Sequence, residues 1–316
     1  MTRSRRLRFW IGGILLAFGL ICIAVFVFNG PGSLPPRPPV PDSNGYDDFA
    51  AAAKLRANGP RVDVPMPKDK DFSLLVARQY VADSRGVIER VEAGLAKQAV
   101  VPIDFTTNWF DNHVNTYPEL KKLEWLITLD GYVSEQDGKL HEAAKSYVDG
   151  LKFGSAVARG GLLIDCLISI ADERIAISYL EGVVSKLDAG DCRFVMRELE
   201  SWKTNREPFE WAAEREKKWV NVFGRMQYGS VRLMLEEISG MIAAKSIHPE
   251  AAVIAKTKGK YEAVVDQVET LKVRVAARMF ELEHKSPPKG WGDLVPAYLP
   301  EIPIDIKTKR VMLFSF

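Results

Sequence analysis

Two stretches of the chain hold residue types that could do chemistry. In GGLLIDCLISIADERIAISYL, Asp165 stands inside an apolar run. A carboxylate there is costly to bury unless it is paired, and helical spacing puts Ser169 and Asp172 on its side, with Arg174 nearby. Such a group could act as a general acid or base lining a groove. It could also belong to a narrow polar stripe, or interact with the N-terminus of a neighbouring helix. No nucleophile or partner base can be placed beside Asp165 from sequence, so the structural role is the expectation. The second stretch is ELEH, where Glu281 and His284 share a helix face three residues apart. Di-iron bundles use that spacing, but they need two such motifs and two further glutamates, and no second motif occurs. A solvated helix end with His284 near its C-terminus is expected instead.

The familiar constellations are missing: there is no H-E-x-x-H, no Walker glycine loop, no G-x-S-x-G elbow and no C-x-x-C pair. The four histidines are scattered at positions 113, 141, 248 and 284. The sequence therefore assigns no catalytic, cofactor-binding or metal-ligating residue. Cys166 and Cys192 are the cysteines outside the N-terminal apolar run. If one helix carries Cys166 and ends just before Cys192, about 22 residues at about 1.5 Å each separate Cys166 from the turn. That is roughly 33 Å, against a Cα limit of about 7 Å for a disulfide, so two free, buried thiols are predicted.

The elements that must position these residues read as helices. DDFAAAAKLRANG is a short one with acids at its start and Gly59 at its end, and residues 71–97 read as a longer one. Residues 100–118, with Trp109, Phe110 and two prolines, fit neither helical nor strand period and are expected as a packed loop. In LDGYVSEQDGKLHEAAKSYVDGLKFG, the small and aromatic positions Gly131, Gly138, Ala143, Tyr147 and Gly150 are spaced like those of one tetratricopeptide (TPR) helix-turn-helix. The pattern fails 34 residues on, so one TPR-like hairpin inside a larger α-domain is predicted rather than a solenoid. A long apolar helix over 161–187 should stop at DAGD, and Trp211 and Trp219 should be core. Tyr261, Val264, Val268, Leu271, Val275, Met279 and Leu282 form one docking stripe.

The N-terminus is different in kind. Residues 9–28 form an uncharged run of about twenty residues, enough to span a bilayer core of about 30 Å. Arg3, Arg5, Arg6 and Arg8 precede it, which places the N-terminus in the cytoplasm. Bulky residues in AVFVFNGPGS occupy the place of a signal-peptidase site, so an uncleaved anchor is expected. The Pro-rich linker 29–45 should be extended and hold the next domain off the membrane. Without the four arginines, 39 basic residues face 41 acidic ones, a balance that argues against nucleic acid, which needs a concentrated basic face.

The tail adds a resemblance. A helix ending in ARMFELEH, a Pro-Pro turn and WGDLVPAYLPEIPIDIKTK resemble the C-terminal signature of a group of uncharacterised membrane-anchored helical proteins frequent in planctomycete-type bacteria. The likeness extends loosely to NGYDDFAAAA and GKLHEAAKSYVDGLKFGSAVARGGLLIDCLISIA. The departures are Lys285-Ser286-Pro287-Pro288 at the turn and Ile306 where the group has a second proline. The resemblance implies location and helical architecture and brings no activity with it. The ending is also similar to that of type II secretion pseudopilins, but RRLRFWIGG lacks their cleavage site.

The expectation is thus a mainly α protein in five parts. These are a basic cytoplasmic segment 1–8, a transmembrane helix 9–28 held by the lipid bilayer, the linker 29–45, an α-helical extracytoplasmic domain 46–284, and a Pro-rich clasp 285–316 over the helical stripe. The function it implies is a cell-envelope scaffold or protein-binding module with a protein partner, no nucleic acid and no cofactor. An envelope hydrolase using an acid near Asp165, or a secretion-system accessory protein, is the alternative.

Overall fold

The computed structural model describes residues 39–59, 64–67, 69–104, 107–220, 222, 249–306 and 308–312. The expected transmembrane run 9–28 and most of the linker lie outside the described residues. No helix among the described residues is long and apolar enough to cross a membrane.

Every regular element described is helical; the sole β-pairing among the described residues is an isolated antiparallel bridge, Ile304 with Val311. Helix α1 spans Gly45–Asn58. It starts where it does because the Asn44 side chain accepts from the Tyr46 N–H, while Asp47 and Asp48 in the first turn suit the positive end of the helix dipole. The same Asn44 side chain also reaches across to Val100, where its Nδ2 donates to the carbonyl at 2.8 Å and its Oδ1 accepts from the N–H at 2.9 Å. Together with Gly45 N–H to Gln98 O at 3.0 Å, this fastens the entry of the domain to the extended segment at 98–101.

The single long helix expected over 71–97 is two, α2 (Leu74–Asp83) and α3 (Arg85–Leu95), which meet at Ser84. The buried positions Ala77, Val81, Ser84, Ile88 and Val91 still follow one helical stripe across the junction. The periodicity survives the kink. The loop expected at 100–118 contains a helix, α4 (Thr107–Val114), followed directly by α5 (Tyr117–Gln136).

Helices α5 and α6 (Leu140–Ala158) are consecutive and pack against each other. Gly138 turns the chain at φ 74°, a conformation that disfavours side chains with a Cβ. At Gly131 the Tyr147 ring approaches so closely that a Cβ would lie 2.5 Å from it. Helix α7 (Leu163–Val183) follows, ending in a 3-10 turn at Val184–Lys186, and Asp188 caps α8 (Ala189–Asn205). A further helix, α9, covers 209–220. Helix α10 (Pro249–His284) has 36 residues, about 54 Å, and α11 (Trp291–Leu294) is a single turn.

Two large apolar clusters result. The first gathers α1 to α5 with Phe153, Val157, Leu162 and Trp219; the second gathers α6, α7, α8 and α10. The predicted α10 stripe enters the second, with Val264, Val268, Leu271 and Val275 fully buried. The clasp does not lie over that stripe. Leu294 and Leu299 pack on Val273 and Ala276, another face of α10, because the stripe is already covered by α7 and α8. Trp219 is buried, but Trp211 is 58% exposed. The buried face of α9 runs through Phe209, Ala212, Ala213 and Trp219, and Trp211 lies outside it on the far side of Trp219.

Candidate functional site

Asp165 stands at the third position of α7, where its Oδ2 accepts from the Leu162 N–H at 2.7 Å, the return half of a capping box. Its Oδ1 accepts from His113 Nε2 at 2.7 Å and from the Tyr117 hydroxyl at 3.1 Å. A carboxylate can only accept, so His113 carries its proton on Nε2, and Nδ1 faces the Tyr46 hydroxyl at 3.5 Å. The Trp109 ring stacks on the imidazole at a centroid distance of 4.6 Å. His113 and Asp165 side chains are 4% and 1% exposed. Burial, and then the charge of Asp165, push both tyrosine hydroxyls far above their usual range. This constellation is a sealed junction joining α1, α4, α5 and α7.

Two turns along α7, Asp172 belongs to a second buried group. Asp165 and Asp172 are seven apart, and so are Tyr117 and Glu124, the α5 residues that meet them. The equal steps follow from topology: α6 runs antiparallel to each, so α5 and α7 are parallel. Glu124 is fully buried, with Thr128 donating to its Oε1 at 3.2 Å and Gly150 facing it from α6. Glu124 Oε2 and Asp172 Oδ2 find no donor among the described residues. Burial first, and then the neighbouring carboxylates, raise both acids: Asp172 is pushed up to about 8, and Glu124 also well up. Beside them Glu173 takes a two-pronged ion pair from Arg206, whose guanidinium lies 3.7 Å from the Tyr261 ring centroid.

An accessible groove lies on the other side of α5. Arg56 at the end of α1, Val64, Pro65, Met66 and Asp69, and Tyr80 of α2 form one wall; Pro118, Lys121, Lys122, Trp125, Leu126 and Leu129 of α5 form the other. The groove holds about 560 Å³, within the usual range of ligand sites. Its floor is apolar, and its edge carries Arg56, Lys121 and Lys122 together with Asp69. Arg56 and Lys122 both pair with Glu119, at 2.9 and 2.5 Å, while Arg56 Nε has no acceptor and Lys121 makes no ion pair among the described residues.

Of the residues singled out by sequence, Asp165 is thus united with a histidine, and Asp172 goes to a different group. Ser169 sits beside the Glu173 carboxylate, and Arg174 is exposed. Glu281 lies 3.7 Å from Arg278, and His284 packs on Phe280 and faces the Tyr298 hydroxyl. Among the described residues no group of three or more metal-ligating side chains is assembled. Cys166 and Cys192 are free and buried, and burial pushes their thiols up, to about 12 and about 11. The sequence reading missed His113, Glu124 and the groove residues Arg56, Lys121 and Trp125. Their partners are distant in the chain, and only the three-apart pairing of Glu119 with Lys122 left a local signal. No family model matches the chain, and no curated protein or solved structure matches it either.

Proposed function

We propose that this chain is a membrane-anchored, extracytoplasmic helical scaffold or protein-binding module of a bacterial cell envelope, related to the planctomycete-type group it resembles. Residues 9–28 cross the cytoplasmic membrane with the N-terminus inside, and residues 29–45 space the domain from it. The α5–α6 hairpin, TPR-like in its small-residue spacing, presents one wall of the binding groove. The occupant is an extended peptide segment of a partner protein that offers an apolar side chain to Trp125 and Leu129 and an acidic residue to Arg56 and Lys121.

The observation that carries this reading is the groove, apolar in its floor and edged by Arg56, Lys121 and Lys122, which outnumber the one acid of its lining, Asp69. Apolar burial supplies affinity there, and the charges select an acidic partner. The enzyme reading draws on the His113–Asp165 pair at 2.7 Å. Asp165, however, already accepts three hydrogen bonds at a nearly inaccessible position, which favours a structural role.

The test is a photo-crosslinking residue at position 125 of the full-length chain in native membranes, with position 253, an exposed site on α10, as control. The expected result is an envelope protein captured from 125 alone, through an acidic segment, with capture reduced about tenfold by Lys121→Glu. Identical adducts from both positions, or no adduct from 125, would overturn the reading.

A further inference from the structure

A second pocket, of about 500 Å³, lies between the end of α3, α6 and α8, away from the groove. Three cations line it, Lys97, Lys152 and Arg159, and no acid is among its lining residues. Carboxylates do stand behind it, but each is divided between two cations. Asp48 pairs with Lys97 at 2.6 Å and Arg90 at 2.9 Å, and Glu198 pairs with Lys152 and with Arg197. Of the three lining cations, Lys97 and Lys152 are thus each shared with a carboxylate, and Arg159 makes no ion pair among the described residues. The lysine side chains are 38% and 32% exposed, so solvent screens them less than it screens free surface ammonium groups.

The remaining wall is built for hydroxyls. Arg159 gives one N–H to the Asn205 carbonyl and has the rest of its planar fork to offer. The Asn205 side chain donates to the Ser201 carbonyl at 2.9 Å, which fixes its amide and leaves the oxygen as an acceptor. The Gln98 amide can both donate and accept. A carboxylate offers two oxygens, whereas a phosphate dianion offers three and can reach Arg159 and both lysines at once, and a polar body attached to it matches the polar wall.

We infer that this pocket binds a phosphomonoester on a hydroxyl-rich body, of the sugar-phosphate class. The phosphate engages Arg159, Lys152 and Lys97, and the hydroxyls engage Gln98, Ser201 and Asn205. The same chemistry is offered by a soluble sugar phosphate and by a phosphorylated inositol lipid headgroup.

The experiment is calorimetric titration of the full-length chain in neutral detergent at low salt with glucose 6-phosphate, inorganic phosphate and glucose. A parallel arm uses micelles doped with phosphatidylinositol 4-phosphate. The expected result is saturable one-to-one binding of glucose 6-phosphate, weaker binding of inorganic phosphate and none of glucose. Arg159→Gln and Lys152→Gln should each weaken it about tenfold, and Lys54→Gln, at an exposed site on α1, should not. Circular dichroism of each variant separates lost binding from lost fold. Binding confined to the doped micelles and lost in either pocket variant assigns the phosphate to a lipid headgroup and supports the site. Absence of saturable binding to every phosphate probe, or equal binding by Arg159→Gln, Lys152→Gln and the parent chain, would overturn it.

Discussion

Glu124 and Asp172 bring two carboxyl groups into one apolar seam, and two of their oxygens lack a donor among the described residues. In such a place the neutral form is favoured, because ionisation would put charge into a medium that solvates it poorly, next to Glu173. The consequence for stability has a definite sign. Below about pH 4 the acids are protonated in both folded and unfolded chains, and their contribution is complete. As pH rises, the unfolded chain loses the Asp172 proton near the ordinary carboxylate value while the folded chain keeps it until about 8, so stability falls across that window. One proton gives a slope of at most about 1.4 kcal/mol per pH unit. Asp172→Asn should flatten that decline in chemical denaturation between about pH 5 and 8, and parallel profiles for the two proteins would refute the assignment. Glu173 and Arg206, both facing this seam, remain as a pair in either protein. This pairing of acids was only half legible in sequence. Asp165 and Asp172 announced themselves by interrupting an apolar run, but Glu124 lies about fifty residues away in an ordinary-looking helix and His113 in a stretch expected as a loop, and nothing local reports a contact made by packing.

At the scale of elements, the helices that the sequence made legible are those with an end signal or a sustained period. Acids at the start and Gly59 at the end marked α1, and the apolar repeat marked the docked face of α10. The break at Ser84 was hidden because the buried stripe continues through it. The clasp shows a related limit: its apolar residues were recognisable, but the face it covers depends on which face α7 and α8 had already taken. Leu294 is fully buried against Val273 and Ala276 and also anchors the turn by accepting from the Tyr298 and Leu299 N–H groups. Leu294→Ala should remove about 2–5 kcal/mol from this contact. Limited proteolysis should then cut the variant first between 285 and 312, with the helical body persisting. Cleavage spread evenly over the chain would show that the clasp is not a separately stabilised piece.

For the whole molecule, the decisive point is that the two apolar clusters share their supports. Helices α5, α6 and α7 carry side chains into both or join them by the buried polar seam, so neither cluster closes without the other's framework. Tryptophans report on each side, Trp109 and Trp219 at the first cluster and Trp202 in the second. Urea unfolding of the full-length chain should give coincident midpoints for tryptophan fluorescence and far-ultraviolet circular dichroism, the sign of one cooperative unit. Separated midpoints would show two folding units. The fastening of Asn44 to Val100 has a mechanical meaning as well. Any tug on the chain from before residue 44 reaches the domain through that reciprocal amide clasp and the adjoining Gly45 to Gln98 bond. The load therefore passes sideways into the strap running on to Arg159, where Val101 is tied. Helix α1 is spared from being unwound turn by turn, and a tethered body built this way can be pulled without being peeled.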